Sequence, residues 1–158
     1  MTSAVTPRMG IALASLVNAL VAAYLHLWKL GKVGPLSCAS GGGCQIAQFS
    51  SYGWFLGVDV ALIGAVGWGL VCLVALVGTS ARFEDAAWPT KALAPLVVFA
   101  VLFTVRLKYG EWIVLRTFCI WCFPNVVVTA LTAALLALDW RRLARSRVPG
   151  HDLASAAA

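Results

Sequence analysis

Charged residues are scarce in this chain. Asp, Glu, Lys and Arg make up only 11% of its 158 residues, whereas 61% are hydrophobic. Soluble domains carry charge at about a quarter of their positions, so this scarcity excludes an ordinary soluble protein. The mean hydropathy of +0.89 instead predicts that a lipid bilayer surrounds most of the chain.

Three further features are missing, and each argues against a class of protein. The basic residues form no cluster on a soluble face, which argues against nucleic-acid binding despite the net charge of +6. No convincing small-residue cleavage site follows the first apolar run, so this run is predicted to be a retained helix and not a secretory signal. Phe123, and not His, follows Cys122, which excludes covalent attachment of a c-type haem.

Four apolar runs are long enough to cross a bilayer, for which a helix needs about 20 residues. They cover residues 9–28, 54–78, 91–109 and 117–140. Little sequence lies outside these runs, so we expect a single membrane domain over residues 1–158 whose alanine-rich tail, 148–158, is disordered. The predicted fold class is an all-α integral membrane protein, a bundle of four transmembrane helices.

Basic residues predict the orientation of this bundle. Four arginines directly follow the last run: Arg141, Arg142, Arg145 and Arg147. By the positive-inside rule they place that end in the cytoplasm, and an even number of spans puts both termini there. The tally over all basic residues is seven inside against five outside. The segments that carry four of the five cysteines then face the oxidising side, where disulfides persist.

The strongest local motif is a CxxC sequence, Cys119-Ile120-Trp121-Cys122. Cysteines three apart share a helical face, and a helix N-terminus favours the thiolate form. Pro124 predicts that the helix either begins near Cys122 or kinks there. The pattern indicates a redox-active pair, although two small buried hydrophobic residues would give the same sequence.

A second cysteine pair, Cys38 and Cys44, lies in a segment rich in glycine and proline. Three successive glycines, at 41–43, make this segment conformationally free, which suits a disulfide that must meet two different partners. The alternative is a structural disulfide that fixes a loop. Cys72 has no nearby partner in the sequence and is predicted to be a packing residue.

These motifs together resemble the vitamin K epoxide reductase family, and particularly its bacterial homologues. The resemblance rests on the two cysteine pairs, on Ser50 six residues after Cys44, and on the glycine-spaced stretch 57–64. The sequence departs from the family pattern in carrying Asp59 where the bacterial homologues usually have proline. It also has a shorter spacing between Cys38 and Cys44 than the animal enzymes. We expect no fused thioredoxin-like domain of the kind that some bacterial members have.

The family resemblance implies four helices around a quinone, capped by a short helix in the first outer loop, here residues 45–51. It implies that Cys38 exchanges its disulfide with a protein partner, that Cys44 connects to Cys119, and that Cys122 lies against the quinone. Ser50 is then expected to hydrogen-bond a quinone oxygen.

The implied function is that of a membrane thiol:quinone oxidoreductase that supports disulfide-bond formation. It oxidises a separate thioredoxin-fold protein, periplasmic or extracytoplasmic, and passes the electrons to menaquinone or ubiquinone. The expected location is the inner (cytoplasmic) membrane of a bacterium, and reduction of vitamin K epoxide is a further activity that the resemblance allows.

Asp59 is predicted to lie about two turns inside the second span. Burial raises the pKa of a carboxyl group unless another group pairs with it. We therefore expect either a protonated donor that contacts the quinone, or an ion-pair partner of a basic residue such as Arg106. A water-exposed carboxylate on a shorter helix is the third alternative. Asp139, Arg106 and His26 lie close to span ends, where they are expected to reach the membrane interface.

Two other functions fit parts of the pattern. The four paired cysteines could hold a structural zinc ion in a non-enzymatic membrane scaffold or transporter subunit. The unrelated quinone-linked disulfide-forming membrane protein of bacteria also has four helices. Its two cysteine pairs lie in two outer loops, however, whereas the CxxC motif here begins the last helix.

Overall fold

The computed structural model describes residues 5–36, 38 and 42–146, which form mainly helices. The helices are α1 (Val5–Lys29), α2 (Gly43–Phe49), α3 (Val60–Thr79), α4 (Trp88–Tyr109) and α5 (Phe123–Ser146). A short antiparallel hairpin of β1 (Trp54–Phe55) and β2 (Val58–Asp59) precedes α3. The tail predicted over 148–158 and the glycine at 41 lie outside the described residues.

Four of the helical segments are long and apolar enough to span a membrane, which confirms the predicted fold class. They are Pro7–Lys29, Val60–Thr79, Trp88–Val114 and Ile120–Arg145. The second span begins six residues later than predicted because the hairpin occupies residues 54–59. The capping helix predicted over 45–51 is α2, two residues earlier in the chain.

The hairpin depends on two residues with positive φ angles. Leu56 and Gly57 have φ angles of 53° and 80°, the pair of left-handed conformations that a tight two-residue turn requires. The turn pairs Trp54 with Asp59. Asp59 is therefore held at the start of α3, where its carboxylate accepts the Ala61 N–H at 3.0 Å as a helix N-cap.

The spanning helices pack as a bundle in which α1 contacts α3 and α5, and α4 contacts α3 and α5. Its core is built from small and branched side chains around one tryptophan: Ile11, Ala12, Trp68, Val71, Ala75, Leu93, Val97 and Leu136. Many large apolar side chains on the same helices point outward, for example Leu20, Leu73 and Leu102, which are 60–65% exposed. An apolar exterior over an apolar core is the arrangement expected of a protein whose solvent is lipid.

A buried ion pair closes the end of the bundle where α1 begins, which we call the Arg8 end. Arg8 Nε lies 3.0 Å from Asp139 Oδ2, and both side chains are fully buried. Thr90 Oγ1 donates to the same carboxylate oxygen at 2.5 Å. The expectation that Asp139 reaches the membrane interface is therefore wrong, because this side chain is fully buried and its Oδ2 pairs with Arg8 and Thr90 inside the protein.

The same arginine also holds the connection between α3 and α4. Its two terminal nitrogens donate to one backbone carbonyl at the end of α3 and to three in the connection, at 2.8–3.1 Å: Gly78, Phe83, Glu84 and Ala86. One side chain thus joins α1, the α3–α4 connection and α5.

Candidate redox site

The CxxC pair lies at the opposite end of the bundle, which we call the cysteine end. Cys119 is extended, Ile120–Cys122 form a single 3₁₀ turn, and α5 begins at Phe123. Pro124 therefore lies in the first turn of a helix, where it interrupts no hydrogen bond. The sequence left open whether the helix begins or kinks near Cys122; in the structure it begins there.

A buried carboxylate holds the CxxC turn in place. Glu111 belongs to a π-helical segment, Gly110–Val114, that extends α4. Its Oε1 accepts the backbone N–H of Cys119 at 2.7 Å, and its Oε2 pairs with Lys108 Nζ at 2.7 Å. Glu111 is only 3% exposed, so this pair fixes Cys119 from inside the protein. The sequence analysis missed Glu111, although it is one of only six acidic residues in the chain.

Local hydrogen bonds favour the thiolate form of Cys119. The side chain of Cys122 hydrogen-bonds the Cys119 sulfur, and this contact lowers the pKa of Cys119 below its usual value of 9.0. Burial opposes the change, while the backbone N–H groups of Cys122 and Trp121 reinforce it. The sequence predicts a thiolate here from the helix N-terminus, whereas the lowered pKa of Cys119 arises from hydrogen bonds within this turn.

Cys122 lines a cavity of about 150 Å³ that lies between the four spanning helices. Its wall is mostly apolar and aromatic, with contributions from Leu25, Ile63, Trp68, Phe99 and Phe103. An apolar cavity of roughly this size accommodates an aromatic ring, and ligand sites combine such walls with a few polar groups. The residues present therefore fit the ring of a lipid-soluble quinone.

Helix α2 and the turn after it close the cavity at the cysteine end. Gln48 and Tyr52 both line it, and Gln48 Nε2 lies 3.5 Å from Cys122 Sγ. Tyr52 packs so closely on Gly110 that any side chain at Gly110 would clash with its ring. The sequence analysis missed Gln48, yet its position four residues after Cys44 puts both on one helical face.

Four side chains of the cavity wall, one from each spanning helix, are joined by hydrogen bonds: Asn18, Trp68, Thr104 and Asn125. Asn125 Oδ1 accepts hydrogen bonds from Asn18 Nδ2 at 2.7 Å and from Trp68 Nε1 at 3.2 Å. Asn125 Nδ2 donates to Thr104 Oγ1 at 3.0 Å, and the Thr104 hydroxyl lies 3.3 Å from that of Thr129. Asn125 was also missed, although it follows Cys122 by three residues, in the first turn of α5.

The first cysteine pair is joined by a disulfide between Cys38 and Cys44. Cys44 is buried in α2, at 1% exposure. The preceding residue, Gly43, lies against the backbone of Phe118, where a Cβ atom would clash with the Phe118 carbonyl oxygen. Because Phe118 directly precedes Cys119, this contact brings the chain segments of the two cysteine pairs together.

Ser50 does not line the cavity. Its hydroxyl donates to the carbonyl of Ala47 at 2.8 Å and so ends α2. A contact of Ser50 with a bound ligand stays a prediction.

Asp59 is also absent from the cavity wall, although the next two residues contribute to it. Its carboxylate lies 2.5 Å from Lys29 Nζ and 2.6 Å from His26 Nδ1. Burial alone would raise the pKa of Asp59, but its hydrogen bonds with His26 and Lys29 bring it below the usual value of 3.8. Asp59 is therefore an ion-pair partner, as one alternative held, but Arg106 was the wrong basic residue.

Arg106 has a different environment at the cysteine end. Its guanidinium lies 5.2–5.8 Å from the ring centres of Tyr52, Phe55 and Phe103, a distance at which cation–π attraction operates. It therefore packs the hairpin against α4.

The remaining cysteine, Cys72, is buried in α3 and unpaired. Among residues 5–36, 38 and 42–146, no group of three or more His, Cys, Asp or Glu side chains could hold a metal ion. The described residues therefore offer no support for the alternative of a structural zinc site.

Four membrane-spanning helices with a dithiol at an apolar cavity define a membrane protein of thiol redox chemistry. The model of the vitamin K epoxide reductase family matches residues 9–140, which is most of the chain. The chain therefore belongs to the vitamin K epoxide reductase family. Membership implies, in general terms, a membrane oxidoreductase that works with thiols, disulfides and quinones.

Proposed function

We propose that this protein oxidises the dithiol of a thioredoxin-fold partner and passes the two electrons to a membrane quinone. The observation that carries this proposal is the position of Cys122, in the wall of an apolar cavity and three residues from a second free thiol. A dithiol buried against a ring-sized cavity can deliver electrons to a lipid-soluble acceptor.

The first step is an exchange with the Cys38–Cys44 disulfide. A thiolate of the partner attacks Cys38, Cys44 leaves as a thiolate, and the partner's second thiol then displaces Cys38. The partner leaves as a disulfide, and Cys38 and Cys44 are left reduced. The glycine-rich sequence around Cys38 suits this contact with a separate protein.

The second step transfers the electrons inward. The Cys44 thiolate attacks Cys119 of an oxidised Cys119–Cys122 pair, and Cys122 leaves as a thiolate. Cys38 then attacks Cys44 and releases Cys119, which restores the outer disulfide and leaves the inner pair reduced. The contact between Gly43 and Phe118 supports this connection because it brings the two segments together.

The third step reoxidises the inner pair. Cys119 and Cys122 form a disulfide and release two electrons and two protons. A bound quinone would accept the two electrons and the two protons and so be reduced to a quinol. Cys122, as the cavity-lining member, is the thiol in contact with the quinone, and Cys119 is the thiol that exchanges with Cys44.

The proposed direction follows from redox potentials. A strongly oxidising secretory thiol protein has a potential near about −120 mV, so its reoxidation needs a good acceptor such as menaquinone or ubiquinone. We propose accordingly that the cysteine end faces the outside of a bacterial cytoplasmic membrane and that both termini are cytoplasmic.

The test compares two electron donors in purified protein with a soluble ubiquinone analogue. Cys38→Ala or Cys44→Ala abolishes quinone reduction by a reduced thioredoxin-fold oxidant, whereas dithiothreitol, which reaches the inner pair directly, still supports part of it. Cys72→Ala is the matched control and retains both activities. Equal loss of both activities in the Cys38 variant would contradict the outer relay.

The same preparation tests which inner cysteine contacts the quinone. Cys119→Ala leaves a Cys122 thiolate against the bound quinone and gives a charge-transfer absorption that disappears when the quinone is extracted. Cys122→Ala gives none. The reverse result would exchange the roles of the two cysteines.

A further inference from the structure

The polar group in the cavity has a hydrogen-bond direction that one side chain fixes. The Trp68 indole nitrogen can only donate, so the Asn125 atom that it contacts at 3.2 Å must be the amide oxygen. Asn18 donates to this same oxygen at 2.7 Å. The usual ambiguity of an asparagine amide is thereby removed, and the other terminal atom of Asn125 is the nitrogen.

The nitrogen of Asn125 has two N–H groups and uses one of them. It donates to Thr104 Oγ1 at 3.0 Å. The Thr129 hydroxyl donates to the Asn125 backbone carbonyl at 2.6 Å, so the Thr104 hydroxyl must donate to Thr129 and cannot donate back to Asn125. The second N–H of Asn125 has no partner among the described residues.

This unused donor belongs to a residue of the cavity wall. A polar hydrogen without a partner in an apolar cavity is costly, and a ligand with an acceptor atom removes this cost. Asn125 Oδ1 already accepts two hydrogen bonds, so the side chain offers a ligand a donor and no acceptor. A carbonyl oxygen matches this arrangement better than a hydroxyl group.

We propose that Asn125 Nδ2 donates a hydrogen bond to one carbonyl oxygen of the quinone and so positions its ring at Cys122. Asn125, in the first turn of α5, follows Cys122 by three residues, and both line the same cavity. This assignment rests on the proposed quinone reduction and adds the residue that orients the acceptor. It also favours the quinone over the quinol, which assists release of the product.

The test measures the carbonyl stretch of bound menadione labelled with ¹³C at C1 or at C4, by infrared difference spectroscopy. In the wild-type protein one of the two labelled carbonyls absorbs at a lower frequency than in hydrocarbon solvent, because it accepts a hydrogen bond. Asn125→Leu returns this band toward the solvent value and raises the KM for menadione about threefold to tenfold.

Thr129→Val is the matched control. It removes a hydroxyl from the same network, but Thr129 does not line the cavity, so the shifted band and the KM stay as in the wild type. Equal changes in the two variants would mean that the network only supports the fold. An Asn125→Leu variant that keeps the low-frequency band of the wild type would assign the donor elsewhere. Either result overturns the assignment.

If Asn125→Leu does not fold, the wild-type spectrum can still refute the assignment of Asn125. Suppose that both carbonyls of menadione absorb at their solvent frequencies in the wild type, while the Cys119→Ala variant still gives its charge-transfer band. This result would refute the role of Asn125 and leave the proposed function intact. Absence of both menadione binding and that band would refute the proposed function, and the assignment with it.

Discussion

The two ends of the bundle use buried charge in different ways. At the Arg8 end one guanidinium is completely enclosed, and each of its nitrogens donates to a carboxylate, a hydroxyl or a backbone carbonyl. At the cysteine end the pair formed by Lys108 and Glu111 borders a cavity and holds the backbone of a reactive cysteine. Charge at the first end joins helices, whereas at the second it also positions a reaction centre.

The difference follows from what surrounds each charged pair. Protein groups occupy every side of Arg8, so nothing remains for a ligand to contact. Lys108 and Glu111 line the same cavity as Cys122 and Gln48, so a ligand in that cavity can approach them. A buried pair that borders a cavity is therefore a better indication of function than a buried pair alone.

The largest expected effect separates the two ends by activity. Cys122→Ala lowers the rate of quinone reduction at least about a thousandfold, because it removes the thiol that contacts the acceptor. Its unfolding midpoint in detergent stays close to that of the wild type, since Cys122 is only partly buried. A quinone-reduction assay and a thermal unfolding curve on the same preparation check both halves. Substantial residual turnover would contradict the assigned role.

The next effect reverses this pattern at the Arg8 end. Arg8→Met leaves Asp139 buried without its closest ionic partner and lowers the free energy of unfolding by about 3–5 kcal/mol, while folded protein keeps its KM for quinone. Arg141→Ala is the control: this arginine of α5 is exposed, so we expect a change within about 0.5 kcal/mol.

A double variant sharpens this measurement. Arg8→Met combined with Asp139→Leu recovers part of the lost stability, because no unpaired charge is left in the apolar interior. A double variant as unstable as the sum of the two single ones would show that the bonds from Arg8 to the α3–α4 connection, and not the ion pair, carry the effect.

The smallest effect concerns Asp59 at the cysteine end and depends on pH. The pKa of Asp59 is lower in the folded protein than its usual value of 3.8, so its stabilising contribution is complete above about pH 4 and is lost as the pH falls below 3.8. Asp59→Asn keeps the helix cap but loses the charge, at a cost of about 1.5–3 kcal/mol at pH 7. Unfolding curves of the wild type and of Asp59→Asn are measured at pH 7 and at pH 3. The difference in stability between the two proteins should be smaller at pH 3 than at pH 7. A constant difference between them would contradict the ionic role.

Sequence reasoning located the features that depend on local pattern. Runs of about 20 apolar residues predict spanning helices, and cysteines at short spacings are recognisable as pairs. The start of the second span could not be placed in this way, because Trp54, Phe55 and Val58 are as apolar in a hairpin as they are in a helix. The turn depends on the positive φ angles of Leu56 and Gly57 and on the packing of Arg106 against Phe55.

The polar partners were beyond sequence reasoning because each pair joins distant parts of the chain. Asp59 meets Lys29 across 30 positions, and Arg8 meets Asp139 across 131. Arg106 was a reasonable partner for Asp59 by its predicted depth, but depth does not specify which helix faces which. Positions three or four residues after a paired cysteine, such as Asn125 and Gln48, could have been found by helical periodicity.

The sequence by itself determined that this chain spans a membrane four times and carries two cysteine pairs, since hydrophobicity and cysteine spacing are properties of contiguous residues. Only the tertiary structure decided that Cys122 borders a cavity, that Glu111 holds Cys119, and that Asn125 connects all four helices. These contacts depend on how the helices turn toward one another. In a bundle whose interior and exterior are both apolar, the sequence contains few polar residues from which the rotation of each helix about its axis could be predicted.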